Sequence, residues 1–168
     1  MKSTRTLAAS LAGATLVVAL GVAVSFWTFR QIESSAELRK HSRLVLDKAD
    51  DLLSAMTDAE TAMRGFLLTG DEEFLDPYLA VRDHLTADLD SLRSLTVIPE
   101  ADGRLDAMTP LMVARLANIE RTIALRRSVG LTAAIATIRT GEGRDLMDAF
   151  RAEMRSFIQI QEIAQAQR

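Results

Sequence analysis

The feature that most constrains this chain is a long run without a charged residue near its N-terminus. The run extends from Thr6 to Phe29 and exceeds the roughly 20 apolar residues that a helix needs to cross a bilayer. Trp27 and Phe29 lie at its far end, where interfacial aromatic residues are expected. A cleaved signal peptide is the competing interpretation, but its apolar core is usually about 7–15 residues long. The run therefore predicts an uncleaved transmembrane helix over residues 6–29.

The charges before this helix predict its orientation. Lys2 and Arg5 precede the apolar run, and positively charged flanks stay on the cytoplasmic side. We therefore expect residues 1–5 in the cytoplasm and residues 30–168 in the periplasm or outside the cell. The predicted localisation is the cytoplasmic membrane, with a single span in this chain and most of the chain extracytoplasmic.

Composition excludes several classes of protein and of site. The 168 residues are 26% charged and 48% hydrophobic, which is typical of a folded helical protein rather than a disordered one. There is no cysteine, so a disulfide framework and a thiolate metal site are both excluded. The net charge is −3, and no basic cluster is interleaved with aromatic residues, so we expect no nucleic-acid partner.

Beyond the apolar run, one helix is predicted to continue to about Thr69. Neither proline nor glycine interrupts it between Arg30 and Arg64. Apolar or small residues recur there at heptad spacing, which is typical of helices that pack in a bundle or a coiled coil. The two series are Leu38, Val45, Leu52, Ala59 and Phe66, and Ser42, Ala49, Met56 and Met63.

The second helix is predicted from near Asp71 to near Leu95. Pro77 gives an alternative start, because proline is tolerated in the first turn of a helix but kinks it further in. Residues 96–103 contain both proline and glycine, and they are predicted to form a break.

The third and fourth helices complete the chain. The third is predicted to begin near Arg104, and Pro110 indicates either a later start or a kink. Gly130 interrupts its apolar pattern, which nevertheless continues to Thr140. After a glycine-containing turn, the fourth helix is predicted from about Arg144 to the end.

These three helices each present one apolar face at three- and four-residue spacing. The faces comprise Tyr78, Val81, Leu85, Leu89, Leu92 and Leu95; Leu105, Met108, Met112, Leu116, Ile119 and Ile123; and Leu146, Phe150, Met154, Phe157 and Gln161. Short turns join the helices, so neighbours are expected to be antiparallel. The predicted fold class is all-α, with an N-terminal transmembrane helix followed by an antiparallel up-down-up-down four-helix bundle.

Residues 58–71 combine charge, glycine and an aromatic residue at the predicted tip of the first hairpin. Glu60 and Arg64 are four residues apart and are therefore neighbours on one helical face. Gly70 indicates the helix end, since glycine adopts the left-handed conformation found there. Apolar neighbours place at least part of the Glu60–Arg64 pair near the core. Three interpretations stay open: the pair fixes the register of the helices, contacts a ligand, or lies exposed.

No group of residues predicts catalysis. His41 and His84 have no companion at the spacing of metal ligands, and both are expected at the surface. No glycine-rich phosphate loop follows a strand, because no strand is predicted. We expect no cofactor, no metal ion and no enzymatic activity in this segment.

Several segments of the chain together match a known pattern. They are Asp58-Ala59-Glu60-Thr61, Arg64-Gly65-Phe66-Leu67-Leu68-Thr69-Gly70-Asp71, Phe74-Leu75 and Pro77-Tyr78, followed by Leu125-Arg126-Arg127, Gly130 with Ala133-Ala134, and Gly141-Glu142-Gly143-Arg144-Asp145-Leu146-Met147-Asp148 with Arg151. This pattern resembles the third class of CHASE domains, the cyclase/histidine kinase-associated sensory extracellular domains, from about Arg30 to the end. The family usually has Gly-Gln where this chain has Ala62-Met63. The motif residues that the resemblance singles out are Asp58, Glu60, Thr61, Arg64, Gly65, Phe66, Thr69, Gly70, Pro77 and Tyr78.

The resemblance implies the extracytoplasmic sensory domain of a bacterial membrane receptor. Such a receptor passes its cue to a cytosolic histidine kinase or cyclic-di-GMP cyclase, and a displacement of helices relays the signal. The implied partners are the membrane, a second copy in a homodimer, and an unknown small-molecule or protein cue. The motif residues are family markers, and no ligand contact is assigned to them.

The end of the chain bears on how it would signal. The resemblance leads us to expect a second transmembrane helix after the fourth helix, but the sequence stops at Arg168 and is still polar there. We therefore expect a piece of a longer receptor. The alternative is a stand-alone membrane-anchored helical partner that docks on a full-length receptor and regulates it.

Overall fold

A computed structural model describes the backbone of residues 2–167 and the side chains of residues 20–22, 25, 26 and 39–167. The chain divides into two compact units, Met1–His41 and Ser42–Arg168. Residues 2–167 are helical apart from short turns, and they contain no strand. The all-α class predicted from the sequence is confirmed.

The unit Met1–His41 is the N-terminal part of helix α1, which extends over Lys2–Thr69. Its described apolar side chains Leu20, Val22 and Phe26 are exposed. Most side chains of the transmembrane helix predicted over 6–29 lie outside the described residues. Within the part of the chain that was described, no helix is long and apolar enough to cross a membrane, so the anchor stays a prediction.

The unit Ser42–Arg168 contains the end of α1 and the rest of the helices. After α1 come a 3₁₀ helix (Glu72–Leu75), α2 (Asp76–Val81), α3 (Leu85–Leu95), α4 (Pro99–Ser128), α5 (Leu131–Arg139) and α6 (Glu142–Ala166). The predicted ends of the first and second helices, at Thr69 and Leu95, are both confirmed.

The four longest helical segments of this unit enclose two apolar clusters. The first core contains Val45, Ala49, Leu52 and Met56 of α1, Leu85, Leu89 and Leu92 of α3, Ala101, Leu105, Met108 and Met112 of α4, and Met147, Phe150, Met154 and Phe157 of α6. The second core contains Ala59, Ala62, Met63, Phe66, Leu67, Leu75, Tyr78, Ile119, Ile123 and Ala134. Nearly all of these side chains have negligible exposure, which makes apolar burial the main stabilising term.

The order of these residues along the chain gives the direction of each helix. The end of α1 and the whole of α4 both pass from the first core to the second, whereas α2 and α3 return from the second to the first. A hydrogen bond of 3.1 Å joins Asn118 of α4 to Glu142 at the start of α6, and α6 then continues into the first core. The helices therefore alternate in direction, as the short turns predict.

The heptad positions of α1 are the buried ones. From Ser42 to Phe66, every member of the two predicted series is buried, while the side chain of Leu38 lies outside the described residues. The predicted faces of the later helices are buried or half-buried in the same way. The periodicity thus identified the core correctly.

The start of the third helix was predicted wrongly. Residues 99–103 are not part of a break, because α4 begins at Pro99 and not near Arg104. Proline suits the first helical position. The negative charges of Glu100 and Asp102 in the first turn interact favourably with the positive end of the helix dipole. Pro110 lies inside α4, where proline removes one backbone hydrogen bond. The burial of apolar side chains before and after it offsets the free energy lost with that bond.

Two interruptions shape the helices further. α4 ends at Ser128, and α5 begins after Gly130, whose φ of 115° is accessible to glycine and strained for other residues. The second predicted helix is divided into the 3₁₀ helix, α2 and α3, with a non-helical turn at residues 82–84. No local signal predicts that turn, because the apolar spacing continues across it.

Candidate functional site

The tip of the first hairpin depends on two glycines of the family motif. A Cβ on Gly65 would lie 2.4 Å from the Phe74 ring, so only glycine lets this ring pack on α1. Gly70 has a φ of 76°, and its amide donates a hydrogen bond of 2.7 Å to the carbonyl of Phe66. This left-handed residue ends α1 after Thr69. Both glycines are therefore required by the backbone path and by close packing.

Two arginines at the end of α4 hold this tip from the other side. Arg126 donates a hydrogen bond of 3.2 Å from Nε to the carbonyl of Leu67, one of the free carbonyls at the end of α1. Arg127 binds Glu72 through both ends of its guanidinium, and its side chain lies 5.6 Å from the centroid of the Phe66 ring. The hydrogen bond from Arg127 lowers the pKa of the Glu72 carboxyl.

A buried carboxylate lies between the two apolar cores. Glu60 of α1 is 92% buried, since only 8% of its side chain is exposed, and arginines from three helices surround it. Arg64 of α1 approaches Glu60 Oε1 to 2.5 Å, Arg115 of α4 approaches the same oxygen to 3.6 Å, and Arg151 of α6 is 4.0 Å from Oε2. The carboxylate thus links three helices electrostatically.

Arg115 is the only one of these three arginines that is buried, with 3% of its side chain exposed. Its Nη1 donates a hydrogen bond of 2.8 Å to Asn118 Oδ1, and Asn118 Nδ2 donates one of 3.1 Å to Glu142. Glu142 also accepts two hydrogen bonds from Arg121, of 3.0 and 3.1 Å. We call Glu60, Arg115, Asn118 and Glu142 the polar layer.

The polar layer is incompletely satisfied. Glu60 Oε2 and Arg115 Nε are both buried and have no hydrogen-bond partner among the described residues. Burial lowers the pKa of the Arg115 guanidinium; the charge of Glu60 opposes this shift, whereas the nearby positive charge of Arg64 adds to it. Two contacts to Glu60 are also longer than hydrogen bonds. The layer is therefore costly in the arrangement described.

The absence of a side chain at Gly143 leaves the space that the polar layer occupies. A Cβ at this position, in the first turn of α6, would lie 2.7 Å from Asn118 Oδ1 and 2.8 Å from Arg115 Nη1. Both atoms belong to the hydrogen bond between Arg115 and Asn118, so no side chain fits without displacing that bond. Gly103, also inside a helix, has no atom within 4 Å of the corresponding point.

The ten motif residues occupy different places. Glu60 belongs to the polar layer, and Arg64, which is 64% exposed, contacts it from the surface. The other members lie at the tip or at the start of α2. Phe66 and Tyr78 are buried there, and Gly65 is half-buried. The remaining members are exposed: Asp58, Thr61, Thr69, Gly70 and Pro77.

Sequence reasoning missed Arg115 and Asn118. Both belong to the polar layer, but neither forms a motif, and Arg115 follows Glu60 by more than fifty positions. Both residues lie beside the apolar face of the third helix, and that position could have identified them. A charged residue at such a position is rarely buried without a partner.

Comparisons with known proteins agree with this architecture. The family model described as the CHASE3 domain matches residues 35–168. The chain is also similar to the crystal structure of the sensor domain of histidine kinase HK9 from Rhodopseudomonas palustris, with a TM-score of 0.68 and 29% sequence identity. That similarity covers 75% of this chain and 99% of the sensor domain. No curated protein matches the chain.

We predict opposite effects for alanine at two helical glycines. Gly143→Ala should lower the free energy of unfolding by about 1–3 kcal/mol, because the new Cβ displaces the Arg115–Asn118 hydrogen bond. Gly103→Ala should raise it by about 0.5–1 kcal/mol, because alanine favours the helix and meets no atom. Urea unfolding of the detergent-solubilised chain, followed by circular dichroism, measures both. Equal effects at the two sites would contradict the close approach at Gly143.

We also predict that Glu60 and Arg115 are strongly coupled. Arg115→Met should cost about 3–5 kcal/mol, because it leaves the Glu60 charge buried without its buried partner. The double variant with Glu60→Met should be more stable than Arg115→Met alone, since it removes both buried charges. A double-mutant cycle from the same unfolding measurement tests this. Additive effects of the two substitutions would show that the side chains act independently.

Proposed function

Because the chain belongs to the CHASE3 family, we propose that it is the extracytoplasmic sensory part of a bacterial membrane signalling receptor. A sensory role is supported by the match over residues 35–168 and by the similarity to a histidine kinase sensor domain. That similarity favours a histidine kinase over a cyclic-di-GMP cyclase as the output. On this proposal the segment detects a cue, and catalysis belongs to a separate module.

The polar layer is the observation that carries the proposed mechanism. Glu60 lies on α1, while its other charged contacts lie on α4 and α6 at 3.6 and 4.0 Å. A small shift of α4 or α6 would change how closely Arg115 or Arg151 approaches Glu60, while Arg64 moves together with Glu60 on α1. Packed helices typically move by about 1–2 Å in signalling transitions. We propose that the cue favours one of two such arrangements.

Attachment to the membrane is part of the same proposal. Its support is the uncharged run over residues 6–29 and the exposure of Leu20, Val22 and Phe26. Apolar side chains exposed along a long uncharged run of helix are typical of a segment that contacts a membrane. We therefore propose that this part of α1 anchors the domain, with the bundle outside the cytoplasmic membrane.

A homodimer is proposed as the working form. α5 exposes Leu131, Ile135 and Ile138, which are spaced as one helical stripe, and Ala134 is buried along one edge of that stripe. Exposed apolar surface of this kind commonly marks an interface. Light scattering of the solubilised chain gives its mass and would detect the dimer directly.

The exported topology predicts the behaviour of fusions at Arg168. Alkaline phosphatase fused there should be active and a cytoplasmic fluorescent reporter dark, because only an extracytoplasmic C-terminus supports the phosphatase. Removal of residues 2–29 should abolish the phosphatase activity, since it removes the predicted membrane span. The opposite pattern in the full chain would falsify the exported sensor.

Helix displacement predicts that the polar layer controls the spacing of α1 and α6. The chain has no cysteine, so spin labels at Leu44→Cys and Ile163→Cys, both exposed, report a single distance. Glu60→Gln should shift or broaden that distance distribution by about 1–2 Å, because the charge contacts to α4 and α6 are lost. Glu100→Gln, an exposed carboxylate on α4, is the control. Superimposable distributions for all three proteins would exclude this mechanism.

A further inference from the structure

A groove runs along the outside of the bundle beside the turn that interrupts the second predicted helix. Its volume is about 500 Å³, which is within the range of small-molecule sites. One wall is formed by α2 and the non-helical turn, and the other wall is formed by α4. A smaller recess of about 120 Å³ adjoins it and shares Tyr78, Arg82 and Glu120 with it.

The groove combines an apolar surface with a few polar groups. Val113, Leu116 and Ala117 of α4 provide an aliphatic strip, and Val113 is 55% exposed. Tyr78 lies opposite and belongs to the second core. Arg82 lies 5.9 Å from the centroid of the Tyr78 ring. A ligand in this groove would therefore contact an aliphatic wall and an aromatic side chain.

Most of the charges around the groove are already paired. Arg82 Nε lies 3.2 Å from Asp83 Oδ1, and Arg127 is bound to Glu72. Glu120 is different, because among residues 39–167 no hydrogen bond or ion pair reaches its exposed carboxylate. The five charged groups carry a net charge of about −1, and the unpaired charge is that of Glu120.

Tyr78 and Glu120 both line the groove and the smaller recess that adjoins it. Burial raises the pKa of the Tyr78 hydroxyl; Arg82 opposes this shift, and the negative charge of Glu120 adds to it. The unpaired carboxylate and the aromatic ring therefore share one end of the groove. A positively charged ligand group placed there gains an ion pair with the carboxylate.

We propose that this groove binds a small organic ammonium ion, with the ammonium group at Glu120 and Tyr78 and an apolar body along Val113 and Ala117. The inference rests on the sensory function proposed above, for which it names the class of the cue. The turn at residues 82–84 forms part of the groove wall, so an occupied groove would contact a non-helical turn between Tyr78 of the second core and Leu85 of the first.

The chain offers a single reporter for this site, because Tyr78 is its only tyrosine. The full chain, solubilised in detergent and labelled with ¹³C in the tyrosine ring, is titrated with 2-phenylethylamine, whose amine is protonated at pH 7. We expect a saturable shift of the Tyr78 ring signal. Its charge-reversed analogue, 3-phenylpropionate, should give no saturable shift, which controls for partition of the phenyl group into detergent.

Two variants test the assigned contacts. Glu120→Gln should weaken amine binding by about tenfold or more, because it removes the charge that the ammonium pairs with. Glu100→Gln, the same change elsewhere on α4, should leave it unchanged. Val113→Trp should also weaken binding by filling the groove. Far-UV circular dichroism verifies that each variant is folded, which we expect because these side chains are exposed.

The proposal is overturned by any of three results. These are the absence of a saturable Tyr78 shift up to about 10 mM amine, equal binding of the carboxylate analogue, and unchanged binding in Glu120→Gln. If the phosphatase fusion is active while Tyr78 does not respond, only the ligand proposal fails. If the C-terminus is cytoplasmic while Tyr78 responds, the groove stands and the exported sensor fails.

Discussion

The buried charge of Glu60 is the constraint on which the rest of the bundle depends. A carboxylate placed between two apolar cores costs several kcal/mol of desolvation unless other charges approach it. Arg115 supplies the buried positive charge, and Arg64 and Arg151 supply partly exposed ones. Each lies at a fixed height on its helix, so α1, α4 and α6 have one register in which all three approach Glu60. The apolar cores alone specify that register less strongly, because leucine, methionine and phenylalanine side chains repack when a helix shifts.

The family motif therefore combines two unrelated physical requirements. Gly65 is needed because the Phe74 ring comes too close for a side chain, and Gly70 is needed because its φ of 76° is left-handed. Glu60 is needed because it organises charge between the cores. The tip is held by hydrogen bonds from Arg126 and Arg127, whereas Glu60 Oε2 in the polar layer has no hydrogen-bond partner among the described residues. A region with unsatisfied groups is better suited to change its arrangement than a region in which every group is bonded.

Periodicity predicted most of the fold, because burial depends on which face of a helix a residue occupies. It identified the α1 series from Ser42 to Phe66, whereas glycine and proline signals predicted the helix ends at Thr69 and Leu95. It failed where local signals compete. Pro99 begins a helix, although a segment that contains both proline and glycine is typical of a loop. The turn at residues 82–84 interrupts an apolar pattern that continues across it. For the site, i,i+4 spacing found the Arg64 contact with Glu60. It could not find Arg115, since a tertiary contact between distant helices leaves no local spacing.

The proposed groove and the polar layer share one element, α4, and this gives the proposed mechanism a physical route. Arg115 faces the interior, and its neighbour Leu116 lines the groove. In the same way, Asn118 belongs to the polar layer and Glu120 lines the groove. A ligand that wedges between α2 and α4 acts on the side of α4 opposite the buried charges. A rotation of α4 that relieves such a contact also moves Arg115 relative to Glu60.

The ligand changes the balance between the two arrangements only by its difference in affinity for them, and allosteric couplings of this kind typically amount to about 1–3 kcal/mol. That is comparable to the cost of one unsatisfied buried polar group. An incompletely bonded layer is therefore of the right magnitude to be shifted by a small ligand, whereas a fully satisfied layer would resist it.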